Sequence, residues 1–162
     1  MPTATYIALA NLTLGGTDSS ITFDSIPNTY RDLVVVINTD SSAQADLYLR
    51  FNGDTGNNYN RVTAQGNGTT ASFNVSTNAA FMRLNGSADL ATDFSQNAII
   101  QVMDYSVTDK QKTVLSRTNS SFGTDITAGR WASTSAITSV TVYPSSGDFE
   151  IGSTFALYGI VS

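Results

Sequence analysis

The sequence contains neither cysteine nor histidine among its 162 residues. Without cysteine there is no disulfide, no thiolate metal site and no thiol nucleophile. Without histidine the commonest general base and the commonest transition-metal ligand are both missing. A Ser-His-Asp triad and histidine-bound zinc are therefore excluded together. Charge is scarce as well: charged residues make up 13% of the chain, about half the ~25% usual in soluble proteins. The only lysines are Lys110 and Lys112, and the formal net charge is −5. No basic stripe exists to neutralise phosphates, which argues against a nucleic-acid partner. No run approaches the ~18 apolar residues of a membrane span. The start, Met1-Pro2-Thr3-Ala4-Thr5, has neither the basic opening nor the apolar stretch of a signal peptide. The expectation is a protein of the cytoplasm, or one assembled there, with no membrane partner.

Polarity comes instead from Ser, Thr and Asn, which fill roughly a third of the chain. Ser and Asn compete with helical hydrogen bonding, and β-branched Thr suits a half-buried strand. Period-2 alternation recurs and helical periodicity is hard to find. Runs that read as strands begin at Tyr6, Ile21, Leu33 and Leu47, and weaker ones cover 61–64, 72–76 and 81–84. Ile99-Ile100-Gln101-Val102-Met103 and residues 113–118 read as a hairpin turning at Asp109-Lys110. Residues 137–143 and 154–161 form the closing pair. Leu33-Val34-Val35-Val36-Ile37 is continuously apolar, as expected of a central strand buried on both faces. About ten short strands in one domain spanning 1–162 predict an all-β antiparallel sandwich with little or no helix. Residues 85–94 are left as a loop or one helical turn.

Few residues offer chemistry. Asn52-Gly53-Asp54-Thr55-Gly56-Asn57-Asn58-Tyr59 is oxygen-rich, but it has one carboxylate and lacks the EF-hand spacing. A tight turn explains it better than a Ca²⁺ site, and neither a metal nor a cofactor is expected. Twelve of the thirteen acids are Asp. Neither Asp104 with Asp109 nor Asp89 with Asp93 stands out as a catalytic pair, so each is read as a solvated turn residue. Arg31-Asp32 reads as a local ion pair. Five Asn-x-Ser/Thr sequons, at Asn11, Asn67, Asn74, Asn85 and Asn119, follow from composition. Tyr143 and Tyr158 are assigned to the core. Trp131, Tyr59, Asn57 and Asn58 are the candidate contacts for a subunit interface or a glycan, with packing inside the fold an equal reading for Trp131. No catalytic residue is assigned.

Three segments carry a resemblance. They are Ile26-Pro27-Asn28-Thr29-Tyr30-Arg31-Asp32-Leu33, then Leu49-Arg50-Phe51-Asn52-Gly53-Asp54-Thr55-Gly56-Asn57-Asn58-Tyr59, and Gly152-Ser153-Thr154-Phe155-Ala156-Leu157-Tyr158-Gly159-Ile160. Together they resemble jelly-roll-like virion structural proteins of tailed bacteriophages. That group includes capsid decoration (cement) proteins, with related domains in tail fibres and baseplates. The resemblance implies a homo-oligomer, with a trimer favoured, that binds the major capsid protein and bridges its neighbours. It implies a place on the virion, on the outer surface of the head before the tail. The alternative it carries is a tail-fibre or baseplate module that binds a host-surface glycan. A strand that starts soon after Met1 and another that reaches Val161 fit one complete domain, which favours decoration over a fibre tip.

Overall fold

The computed structural model describes residues 4–86 and 88–161. Met1-Pro2-Thr3, on which the signal-peptide reading partly rests, and Ser87 of the Asn85 sequon lie outside the described residues. Among those described there are twelve strands and no helix. They are β1 (Tyr6–Thr13), β2 (Ile21–Phe23), β3 (Asp32–Thr39), β4 (Leu47–Phe51), β5 (Tyr59–Gly66) and β6 (Ala71–Ala79). After these come β7 (Met82–Arg83), β8 (Gln96–Met103), β9 (Lys112–Ser120), β10 (Gly123–Trp131), β11 (Val140–Pro144) and β12 (Thr154–Ile160). Eight strands form one sheet in the order β1-β12-β3-β8-β9-β10-β5-β6, and four form a second in the order β2-β11-β4-β7. Every pairing among the described strands is antiparallel, and the chain is an all-β, jelly-roll-like sandwich.

The core lies between the sheets. Leu33, Val35 and Ile37 of β3 and Ile100 and Val102 of β8 face Leu47, Leu49, Phe51, Val140 and Val142 of the smaller sheet. Each side chain of this kind removed from water contributes about 1.5–3 kcal/mol. This half of the sandwich follows directly from the sequence, from the continuous apolar run of β3 and the alternation of β4 and β11.

The other half is built differently. The inward residues of β9, β10 and β5 are largely polar: Ser116, Thr118, Asp125, Thr127, Thr63 and Arg61 are all buried. Three of them, Ser116, Asp125 and Thr127, hydrogen-bond to the backbone of Leu84, Gly86 and Ala88 in the connection that follows β7. Ser116 and Thr127 hydroxyls donate to the Leu84 carbonyl at 3.1 and 3.0 Å. One Asp125 oxygen accepts the Gly86 and Ala88 N–H groups at 2.6 and 2.7 Å. In this half β10 escapes the sequence pattern. Its buried positions are Asp125, Thr127, Gly129 and Trp131, while Ile126 faces water. Gly129 is required because a Cβ there would strike the Met82 thioether.

Two further expectations need correction. Tyr143 and Tyr158 are half-buried on outward faces rather than in the core, because their strands alternate and their neighbours Val142 and Leu157 take the inner positions. The acids are not uniformly solvated turn residues. Asp32 and Asp125 are buried on strands, and Asp89 accepts from Arg83 and Gln44 at 3.3 and 3.0 Å. The Arg31–Asp32 ion pair is present at 2.9 Å, and Asp32 also accepts the Asp104 N–H at 3.0 Å.

Candidate functional site

The sequence candidates centre on the β4–β5 turn. Asn52 and Gly53 adopt left-handed φ values of 52° and 65°, the conformation that favours Asn and Gly. This swings Asp54 back under the turn. Its carboxylate accepts the Gly56 N–H at 2.8 Å, the Asn58 amide at 2.8 Å and the Trp131 indole N–H at 2.7 Å. Burial pushes this carboxyl up, but the donors from Trp131, Asn58 and Gly56 together hold it below its ordinary value. The Asn52 side chain ties the turn to the 136–139 segment by donating to the Ala136 carbonyl and accepting the Thr138 and Ser139 N–H groups. The Asp54 carboxylate and the Asn52 side-chain oxygen are thus bonded to protein donors.

Trp131 and Tyr59 are 2% and 1% exposed. Their rings lie 6.5 Å apart and nearly parallel, and Phe51 packs beside both. The Phe51 N–H donates to the Tyr59 hydroxyl at 3.0 Å. Both aromatics are therefore closed to sugar stacking and to a subunit contact, a correction that follows from their place at inward positions of β10 and β5. Asn57 is exposed and Asn58 is half-buried over Asp54. No group of three or more acidic side chains able to hold a metal occurs among the described residues.

The first and third of the segments that carry the resemblance are joined to each other. Gly159 has no Cβ because the Tyr30 ring lies on it. The Arg31 N–H donates to the Ile160 carbonyl at 2.9 Å, and the Tyr105 hydroxyl donates to the Pro27 carbonyl. These residues hold the sandwich together.

The surface most available for binding is the outward face of the eight-stranded sheet. Cross-strand registers align two rows on it. One runs Tyr158, Val34, Gln101, Leu115, Ala128, Val62 and Val75. The other, two residues away on each strand, runs Ala156, Val36, Ile99, Arg117, Ile126, Ala64 and Phe73. Leu115, Ile126 and Phe73 are 52%, 57% and 78% exposed. A shallow depression of about 390 Å³ lies between Tyr6, Val34, Ile99, Leu115 and Ile126. Apolar rows across seven strands, broken only by Gln101 in the first and Arg117 in the second, are unusual on a solvated sheet, where the outer positions are commonly polar. Arg117 and Arg130 are its charged side chains, in a chain of net charge −5. Sequence reasoning missed this site because Leu115 and Ile126 look like core residues until the register is known.

The outward face of the smaller sheet is another matter. Tyr48 stacks on Phe81 at 4.1 Å and meets Tyr143 edge-on at 5.5 Å, and the Arg50 guanidinium lies 4.9 Å from the Tyr143 ring. Beside them Arg83 bridges Asp46 and Asp89 at 2.6 and 3.3 Å. Burial raises the Asp46 carboxyl above its ordinary value, against the pull of Arg83 and Tyr48.

No protein family and no curated protein matches the chain. Among solved structures, a tetrameric galectin from the ball sponge Cinachyrella sp. is 10% identical with a TM-score of 0.44, over 87% of this chain and 99% of its own. An exo-inulinase from Aspergillus awamori is 13% identical with a TM-score of 0.42, over 97% of this chain. The chain spans only 29% of that enzyme's length. A Caenorhabditis elegans galectin is 6% identical with a TM-score of 0.37, over 94% of this chain and 96% of its own. Similarity this distant says nothing about what the chain binds.

Proposed function

We propose that the chain is a structural protein of a tailed-bacteriophage virion, acting as a capsid decoration protein. It lies on the head and bridges neighbouring major capsid proteins through the outward face of the eight-stranded sheet. The observation that carries this reading is the apolar band across seven strands, which a partner would remove from water. The resemblance of the three segments supports the choice of a virion. The work is done by buried area and not by catalysis. Arg117 and Arg130 select a partner surface that is apolar with carboxylates near its rim. The test is add-back of purified chain to capsids that lack it, followed by heating. Capsids that regain resistance to genome release support the reading; unchanged release overturns it.

A second reading rests on one observation, the half-exposed Tyr48, Phe81 and Tyr143 cluster on the smaller sheet. Partly exposed aromatics flanked by Arg50 and Asp46 suit stacking on a sugar ring. On this reading the chain is a tail-fibre or baseplate module for a host-surface glycan. A glycan array that binds the chain and loses binding on Tyr48→Ala supports it; a blank array removes it.

A further inference from the structure

The two sheets differ in width, and the eight-stranded one overhangs the other. Its edge strand β6 projects furthest. All nine of its residues are exposed or half-exposed, on both faces of the sheet. One side of β6 pairs with β5, and the other has no neighbour among the described residues. The sandwich has four edge strands. β2 and β7 have three and two residues, too short to template a partner. β1 is interrupted by a bulge between Ala8 and Ala10. β6 runs in unbroken register from Ala71 to Ser76, and its irregularity falls beyond, where Asn78 has a φ of 54°.

Folded proteins commonly guard such an edge with lysine, proline, a bulge or an inward charge. The segment Ala71-Ser72-Phe73-Asn74-Val75-Ser76-Thr77-Asn78-Ala79 has no charge and no proline. The ladder phase shows which groups are free. The Asn67 N–H donates to the Thr70 carbonyl at 3.2 Å at the start of the hairpin. Counting along the antiparallel alternation from that bond, Ser72, Asn74 and Ser76 bond to β5, while the N–H and C=O of Phe73 and Val75 point off the sheet.

We infer that β6 is the seat of a second copy of this chain, paired antiparallel about a two-fold axis at Val75. Three features select that occupant. First, the free edge is self-complementary: Val75 meets Val75 of the partner and exchanges two backbone hydrogen bonds with it at the axis, and Phe73 carries the free edge onward on either side up to the bulge. Second, β6 is neutral in a chain of net charge −5, so two acidic copies approach here without placing like charges together. Third, the row Leu115, Ala128, Val62, Val75 ends at this edge. In the two-fold pair it continues into the same residues in reverse order, so one apolar band crosses both copies. The inference holds whatever that band docks on. It replaces the trimer expected from the resemblance with a dimer, because a three-fold contact cannot pair two identical antiparallel edges.

Solution mass against concentration tests it. The wild-type chain is expected to pass from 17.2 kDa to twice that mass as concentration rises to about 100 μM. Val75→Pro removes only an N–H that points off the sheet, a position where an edge strand tolerates proline. It is expected to weaken pairing at least about 30-fold. Val75→Lys places two like charges at the axis and is expected to do the same while keeping the wild-type melting temperature. A wild-type chain that stays monomeric, a trimeric mass, or a folded Val75→Lys chain that still dimerises normally would overturn the inference. None of these outcomes bears on capsid binding, which the add-back experiment reads separately.

Discussion

On the eight-stranded sheet the outward faces of β9, β10, β5 and β6 carry Leu115, Ile126, Val62, Val75 and Phe73, all projecting into solvent, with Arg117 and Arg130 as the charged residues among them. On the four-stranded sheet the outward side chains of β4, β7 and β11 are mostly aromatic or charged, and they are bonded to one another. Arg83 holds Asp46 and Asp89, the Tyr48 hydroxyl donates to Asp46 at 3.1 Å, and Arg50 covers the Tyr143 ring. The difference teaches where stability and binding reside. A surface whose groups already satisfy each other adds to the fold. A surface of exposed apolar groups adds little to it, and its gain comes when a partner covers it.

Substitutions that exchange the two characters test this contrast. The largest effect belongs to Leu115→Glu combined with Val62→Glu, which places charge in the middle of the apolar band. Capsid binding should weaken on the order of 100-fold, because a desolvated unpaired charge is costly. The melting temperature should hardly move, since exposed sites of this kind change stability by about 0.5 kcal/mol or less. Co-sedimentation with capsids and a thermal melt read the two quantities. The mirror experiment is Arg83→Met on the smaller sheet. It leaves Asp46 and Asp89 side by side without their cation and should cost about 2 kcal/mol in a urea titration, allowing for partial solvent screening. Capsid binding should be unchanged. Tyr48→Ala removes the stack on Phe81 and the bond to Asp46, for a loss of about 1 kcal/mol by the same titration.

The smallest effect is one of pH. Asp54 has its carboxyl held below the ordinary value in the folded protein. Its contribution is fully present above the unfolded value of about 3.9 and is lost as pH falls through the lower folded value. Melting temperatures taken from pH 6 down to pH 3 should therefore fall less steeply for Asp54→Asn than for the wild type. Asp46 works in the opposite direction. Burial raises its carboxyl, so acid relieves a cost that it imposes on the fold at neutral pH.

Much of the sandwich is legible in the sequence, and the illegible parts share a cause. Ile21, Leu33, Leu47, Ile100, Val142 and Phe155 are apolar at alternate positions and buried, so β2, β3, β4, β8, β11 and β12 follow from periodicity. β10 does not, because its buried side carries Asp125, Thr127 and Gly129 while Ile126 is outside. A polar interior held by hydrogen bonds to the connection that follows β7 leaves no hydrophobic period to read. Trp131 is left open between packing and contact for the same reason: with no strand assigned around it, its inward direction is invisible. The Asp54 turn is legible as a turn, since Asn-Gly supplies the left-handed residues, but its partner Trp131 lies 77 residues away. The apolar band is a property of register across seven strands. No single strand reveals it, and Leu115 alone is indistinguishable from core.

An electron cryo-microscopy map of an intact particle decides whether the exposed band is the surface this protein works through. The chain should lie on the head with Leu115, Ile126 and Val62 against the major capsid protein and the Tyr48 cluster outward. Density for the chain on the tail, or on the head with the eight-stranded sheet facing solvent, would contradict the account.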